Sequence, residues 1–158
     1  MALASLTEYL DGRNIRYVVI THSPAYTAQV IAGLTHISGK ELAKTVIVKL
    51  DGKLAMAVLP ANFHVDLEAL RKAANSTTAT LADEDDFKDR FPQCETGAMP
   101  PIGNLYGLPV FADESLEKDR EIAFNAGTHR ELIRMAWEDF KTLAAPTILS
   151  FAAGRVHA

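Results

Sequence analysis

Apolar residues recur at Leu3, Leu6, Tyr9 and Leu10, the three- and four-residue spacing of one helical face. The spacing predicts an amphipathic helix over residues 4–13, with Gly12 near its stop. Tyr17-Val18-Val19-Ile20 is a β-branched run and reads as a strand, broken by His22-Ser23-Pro24. Thr27 is placed to cap a helix carrying Val30, Ile31 and Leu34, whose N-terminus would lie at Tyr26-Thr27. The strongest local pattern spans residues 44–59. Two apolar runs, Lys44–Leu50 and Lys53–Leu59, flank Asp51-Gly52, a pair that tolerates the positive φ of a tight hairpin turn. Both faces of the first run are largely apolar, so the hairpin is expected to be central, with Lys44 at its start on the face of Val46 and Val48.

Downstream, Asp66 is placed to cap a helix through Leu67, Leu70 and Ala73, and Thr77–Leu81 reads as a short strand. Asp83-Glu84-Asp85-Asp86 puts acids at the positive end of a helix running to about Arg90. Residues 97–109, GAMPPIGNLYGLP, are the densest glycine–proline cluster and predict a structured loop. Val110-Phe111, Glu121–Ala126 and Leu132–Ala136 read as strands, and Trp137–Leu143 as a final helix. Short strands and helices intersperse without regular βαβ alternation. The expected fold is a single α/β domain over residues 1–145. Its mixed, mostly antiparallel sheet is curved or barrel-like, with helices around it. Residues 146–158 form a tail whose apolar run Ile148–Phe151 is expected to pack back on the domain, with a dimer contact as the alternative.

The chain has 158 residues, enough for one self-sufficient core. Its net charge of −4 argues against gripping nucleic acid by bulk phosphate neutralisation, and leaves a local basic patch open. The one cysteine, Cys94, excludes an internal disulfide and a cysteine-rich zinc site, which fits a reducing cytoplasm. No apolar run approaches the roughly 18 residues of a membrane span. The five histidines make no paired metal-binding spacing, and neither a nucleophile elbow nor a phosphate-binding glycine loop is present. No metal and no cofactor are expected. Two features could carry chemistry. Lys44 is either an edge lysine or an ammonium aimed into a pocket. The loop from Gly97 to Gly103 is either a rigid connection or a pocket wall shaped by its prolines.

Lys44 before a Val/Ile strand, then Gly97-Ala98-Met99-Pro100-Pro101-Ile102-Gly103, then Phe124-Asn125-Ala126-Gly127-Thr128-His129 resemble the YbaK/EbsC/ProX family over about residues 5–143. These are aminoacyl-tRNA deacylases related to the editing domain of bacterial prolyl-tRNA synthetases. Two positions depart from the family pattern. Ile102 stands where family loops often carry Phe, and Thr45 where several members carry Asn.

The resemblance implies trans-editing: hydrolysis of the ester joining a wrong amino acid to tRNA, with Ala- or Cys-tRNA(Pro)-like substrates first. It implies Lys44 and His129 as catalytic. It implies His22, Tyr26, Thr45, Gly97, Met99, Pro100, Pro101, Ile102, Gly103, Asn125, Gly127 and Thr128 as substrate-binding, with the Gly127 turn offering backbone N–H groups. Lys40, Lys44, Lys49 and Lys53 would steer a CCA end. The expected partners are mischarged tRNA and, as a further candidate, a cognate synthetase, with no membrane, no DNA, and a monomer or weak homodimer. The alternatives are a non-catalytic module that binds aminoacyl-tRNA or a synthetase, and a general esterase or metalloenzyme on the same fold. An aminoacyl ester is already activated, so its hydrolysis needs a placed water and donors for the oxyanion rather than a covalent nucleophile.

Overall fold

The computed structural model describes residues 3–22 and 42–155; Tyr26, Lys40 and the helix expected after Thr27 lie outside them. Helix α1 (Ala4–Gly12) forms where the spacing predicts and buries Leu6 and Leu10. Strand β1 (Tyr17–Thr21) follows. The hairpin is β2 (Ala43–Leu50) and β3 (Lys53–Pro60), paired from Ala43–Pro60 to Leu50–Lys53. Its turn residues take the positive φ the geometry demands, 52° at Asp51 and 81° at Gly52. The Asp51 carboxylate also accepts from Thr77 N and Thr78 N at 2.8 and 2.9 Å, so the turn anchors the approach to β5 (Ala79–Leu81).

Between these lie β4 (Phe63–Val65), a strand too short to show in the pattern, and α2 (Leu67–Ala73). Asp66 caps α2 as expected, accepting from Ala69 N at 3.0 Å. Helix α3 (Glu84–Phe87) runs into a 3-10 turn at Lys88–Arg90. The glycine–proline loop leads to β6 (Val110–Asp113), followed by a 3-10 turn, Glu114–Lys118. Strands β7 (Glu121–Asn125) and β8 (Glu131–Ala136) and helix α4 (Trp137–Ala144) come next. The expected tail is two strands, β9 (Thr147–Leu149) and β10 (Ala152–Arg155).

The result is a mixed α/β fold whose strands form three ladders. Five run in the order β5-β2-β3-β6-β9, three in the order β1-β8-β7, and β10 pairs with β4. Hairpin pairs are antiparallel, whereas β3–β6 and β6–β9 are parallel. No ladder closes into a barrel among the described residues. The two larger ladders meet at one parallel bridge, Leu42–Ala123, and separate beyond it.

Strand alternation divides the interior. Ala43, Ile47, Met56 and Val58 face the main core with Leu6, Leu10, Phe124, Ile133 and Phe140. Val48, Ala57 and Leu59 face Leu70 and Phe151 on the other side of the hairpin. A third, small cluster of Leu42, Ala61, Ala123 and Leu132 lies at the bridge, with Ile20 against it. No described helix is long and apolar enough to cross a membrane.

Candidate active site

The bridge fixes which side chains can meet. Lys44 lies two residues past Leu42 on β2, and Asn125 two past Ala123 on β7. The period of a strand is two, so both continue the face of the small apolar cluster, at the point where the ladders part. His22 has the same phase as Ile20, which belongs to that face, and its N–H extends the β1–β8 ladder by donating to Arg130 O at 2.7 Å. Lys44 and Asn125, from two strands, and His22, just past the end of β1, therefore share the face of one apolar floor.

Lys44 is half-buried beside Leu59, its cross-strand neighbour, and no described carboxylate forms a salt bridge with it. Desolvation pushes its ammonium pKa below the usual lysine value. Oδ1 of Asn125 is buried and accepts no hydrogen bond, an arrangement that costs free energy until a donor arrives. Thr45 has the opposite phase and faces the main-core side with Ala43 and Ile47, away from Lys44.

The turn after β7 is clamped by four hydrogen bonds to the start of the glycine–proline loop and the two residues before it. Glu95 N donates to Gly127 O at 2.8 Å and Gly127 N to Ala98 O at 2.9 Å. His129 N donates to the Glu95 carboxylate at 2.8 Å, and the His129 ring meets Thr96 O at 2.8 Å through Nε2. A carbonyl only accepts, so Nε2 carries the hydrogen. In the neutral ring the lone pair then lies on Nδ1. Gly97 rests on the ring, and a Cβ there would come within 3.6 Å of Cε1. Gly127 needs its glycine twice over: φ is +94°, and a Cβ would lie 3.0 Å from Leu3 Cβ. Leu3 N donates to Ala126 O at 3.0 Å, so the start of α1 braces the turn from below.

These contacts correct two expectations. The Gly127 N–H does not face a substrate, because Ala98 O takes it. Nε2 of His129, by donating to Thr96 O, ties the ring to the chain just before the glycine–proline loop. The pocket-wall reading also does not hold for Met99 and Ile102, which face the main core. Met99, Pro100, Pro101, Ile102 and Gly103 are all buried, with Met99 and Ile102 in the main core. A Cβ on Gly103 would sit 2.1 Å from Leu108 O, so this glycine exists for close backbone packing. At the exposed end of the loop Gly97 remains at the site. The N–H groups of Gly97 and Thr128 donate to no other described residue, whereas Thr128 Oγ1 accepts from Arg130 N at 3.2 Å.

Two of the lysines expected to steer RNA do not gather here. Lys49 pairs with Asp86 at 2.9 Å, and Lys53 opens β3 at the far end of the hairpin. The Glu95–His129 link and the Leu3 brace were not visible in the sequence, since their partners lie 34 and more than 120 residues apart.

Comparison with known proteins places this arrangement. Residues 22–143 match the family model of the aminoacyl-tRNA editing domain. The chain is 28% identical over 146 residues to the multifunctional Ser/Thr-tRNA deacylase ProXp-y of Escherichia coli K12, covering 89% of this chain and 86% of that protein. Among solved structures, a candidate trans-editing enzyme for prolyl-tRNA synthetase superposes with a TM-score of 0.80 at 18% identity, over 94% of this chain and 95% of that one. Another, described only as a hypothetical protein, gives a TM-score of 0.83 at 16% identity, over 94% and 99%. These structures share the fold. With a family match that spans the β2 lysine, the clamped loop and the turn carrying His129, the chain belongs to the aminoacyl-tRNA editing domain family.

Proposed function

We propose that the protein deacylates mischarged tRNA in trans, without a metal ion. One observation carries the reading: a half-buried ammonium with no salt bridge to any described carboxylate and a buried amide oxygen that accepts no hydrogen bond lie on the same face just past the Leu42–Ala123 bridge. Lys44 donates to an oxygen of the ester or of the terminal ribose, and Asn125 Oδ1 accepts from the substrate's amino group. Water adds to the ester carbonyl carbon. The oxyanion so formed takes hydrogen bonds from the N–H groups of Gly97 and Thr128, and its collapse breaks the bond to the ribose oxygen, which takes up the proton released by the added water and leaves as the hydroxyl. His129 holds the loop against the turn, a positioning role rather than general-base catalysis.

The first substrate class is a small aminoacyl ester, Ala- or Cys-tRNA(Pro)-like. A second reading, Ser- or Thr-tRNA, is favoured by the named activity of the curated relative. A panel of mischarged tRNAs with this protein alone separates the two. Lys44→Ala and Asn125→Ala should each lower kcat/KM at least roughly tenfold, the effect of losing about 1.4 kcal/mol of transition-state contact. Full activity in both variants, or loss of wild-type activity on adding a chelator, would refute the mechanism. A wild-type protein that binds charged tRNA and hydrolyses none of the panel would instead be a binding module.

A further inference from the structure

The ladder β1-β8-β7 has an inner face committed to the main core through Ile122, Phe124, Ile133 and Met135. Its outer face carries a pattern that the site does not use. By register and alternation, that face holds Arg130 beside His22 at the site, then Leu132, Ile20 and Ala123 at the small cluster. Farther out come Val18 opposite Arg134, and then Arg16, in phase just before β1. Arg16 and Arg130 are exposed, Val18 is 51% exposed, and the Arg134 side chain keeps 37% of its surface. The one described carboxylate on the face is Glu121. It lies 3.7 Å from Arg134 Nε, too far for a hydrogen bond. From the level of Arg130 to that of Arg16 is six residues of strand, about 20 Å. A chain of net charge −4 thus lines up three arginines against one glutamate on a sheet face exposed at Arg130 and again at Val18 and Arg16, with Leu132 and Ala123 buried between them.

We propose that this face is the track for the RNA strand that delivers the aminoacyl ester. Phosphates lie along Arg130, Arg134 and Arg16, and Val18 meets a ribose or base edge between them. RNA fits better than a protein partner for two reasons. The charge is predominantly positive and linear, and the single exposed valine is far short of an apolar patch for a protein interface. The inference rests on the deacylase reading for its direction, since it takes the site as the end of the track. Its test needs no hydrolysis.

The experiment measures binding of uncharged tRNA against salt for the wild type and for Arg16→Glu, Val18→Glu and Arg134→Lys. Lys72→Glu on α2, an exposed position distant in sequence and on another element, is the control with the same charge change as Arg16→Glu. The wild-type log–log slope should correspond to two or three phosphates at about 0.7–0.9 each. Arg16→Glu should remove about one such contact from the slope and weaken binding several-fold. Val18→Glu should weaken binding without touching an arginine, and Arg134→Lys should keep both affinity and slope. In deacylation, Arg16→Glu and Val18→Glu should raise KM for aminoacyl-tRNA and leave hydrolysis of an aminoacyl-adenosine ester unchanged. Unchanged binding in both glutamate variants overturns the proposal, as does equal weakening by Lys72→Glu or a wild type that binds no tRNA. Intact, Arg16-dependent tRNA binding with no deacylation of any substrate would uphold the track and sink the catalytic reading.

Discussion

Replacing Asp113 by alanine should release the end of the chain. Asp113 is 3% exposed, at the end of β6. One carboxylate oxygen accepts from Phe151 N and Ala152 N, both at 2.8 Å, and the other from the backbone and hydroxyl of Ser115. Hydrogen bonds to a charged acceptor contribute about 1.5–3 kcal/mol each, and a buried donor left unsatisfied costs roughly 1–3 kcal/mol. Phe151 is itself 1% exposed, so its amide finds no water in place of the carboxylate. Relief of carboxylate desolvation offsets part of the loss, and a net cost of about 3–5 kcal/mol remains. At roughly 2–4 °C per kcal/mol for a chain of this size, the melting temperature should fall by about 10 °C.

Asp113→Asn keeps one carbonyl oxygen for the two amides, but turns an N–H toward Ser115, and should lose less. Burial alone would raise the Asp113 pKa, yet its hydrogen bonds to Ser115, Phe151 and Ala152 together hold it below the usual carboxylate range. A depressed carboxylate pKa contributes stability above its unfolded value, near 3.9, and that contribution disappears as pH falls through the folded value. The wild type should therefore lose this contribution only below about pH 4. Thermal melts read by circular dichroism, with amide exchange at Phe151 and Ala152, decide the matter. A melting temperature within about 2 °C of wild type, with unaltered exchange at both amides, would show that β9 and the Phe151 ring hold the segment unaided.

Lys44→Met should abolish deacylation and raise the melting temperature slightly, on the order of 1–2 °C, because desolvating the ammonium opposes folding; a fall in stability would contradict the unpaired-ammonium reading. His129→Gln can still donate to Thr96 O and should keep the wild-type pH profile from about pH 5.5 to 8.5, whereas His129→Ala should drop kcat/KM by roughly tenfold or more; a profile flattened in both variants would instead assign His129 a general-base role. Gly103→Ala puts a methyl 2.1 Å from Leu108 O and 2.7 Å from Val110 Cγ2, and should cost about 1–3 kcal/mol of stability with selectivity among amino acids unchanged in the surviving folded protein.

Locally encoded features were legible in the sequence. The Asp51-Gly52 hairpin, the Asp66 cap and the face shared by Lys44, Val46 and Val48 need only neighbours within a few residues. Strand β4 was hidden because three residues show no alternation, and its partner, β10, begins almost 90 residues later. The site was half legible. Lys44 and Asn125 could be chosen by resemblance, but their meeting depends on the Leu42–Ala123 bridge, which no spacing reveals. The Gly127 N–H looked available because its acceptor, Ala98 O, belongs to a different loop. The glycines and prolines of residues 97–103 looked like pocket wall because close packing and ligand approach ask for the same residue types. Only the clash at Gly103 tells the two apart. The arginine track was invisible for a similar reason: Val18 and Arg134 become neighbours only through the β1–β8 register.

A ladder read in steps of two makes the bridge a counting device. Lys44 and Asn125 share a face because both chains advance by an even number of residues from the same pair. Insert one residue between Leu42 and Lys44, and the lysine turns toward the main core while a neutral neighbour takes its place on that face. Delete one between Ala123 and Asn125, and Ala126 arrives where the amide stood. In descendants of this chain, length changes of one residue in either stretch are therefore forbidden even where every substitution is tolerated. Paired changes of two, or changes beyond Asp51-Gly52 at the opposite end of the hairpin, leave the count intact.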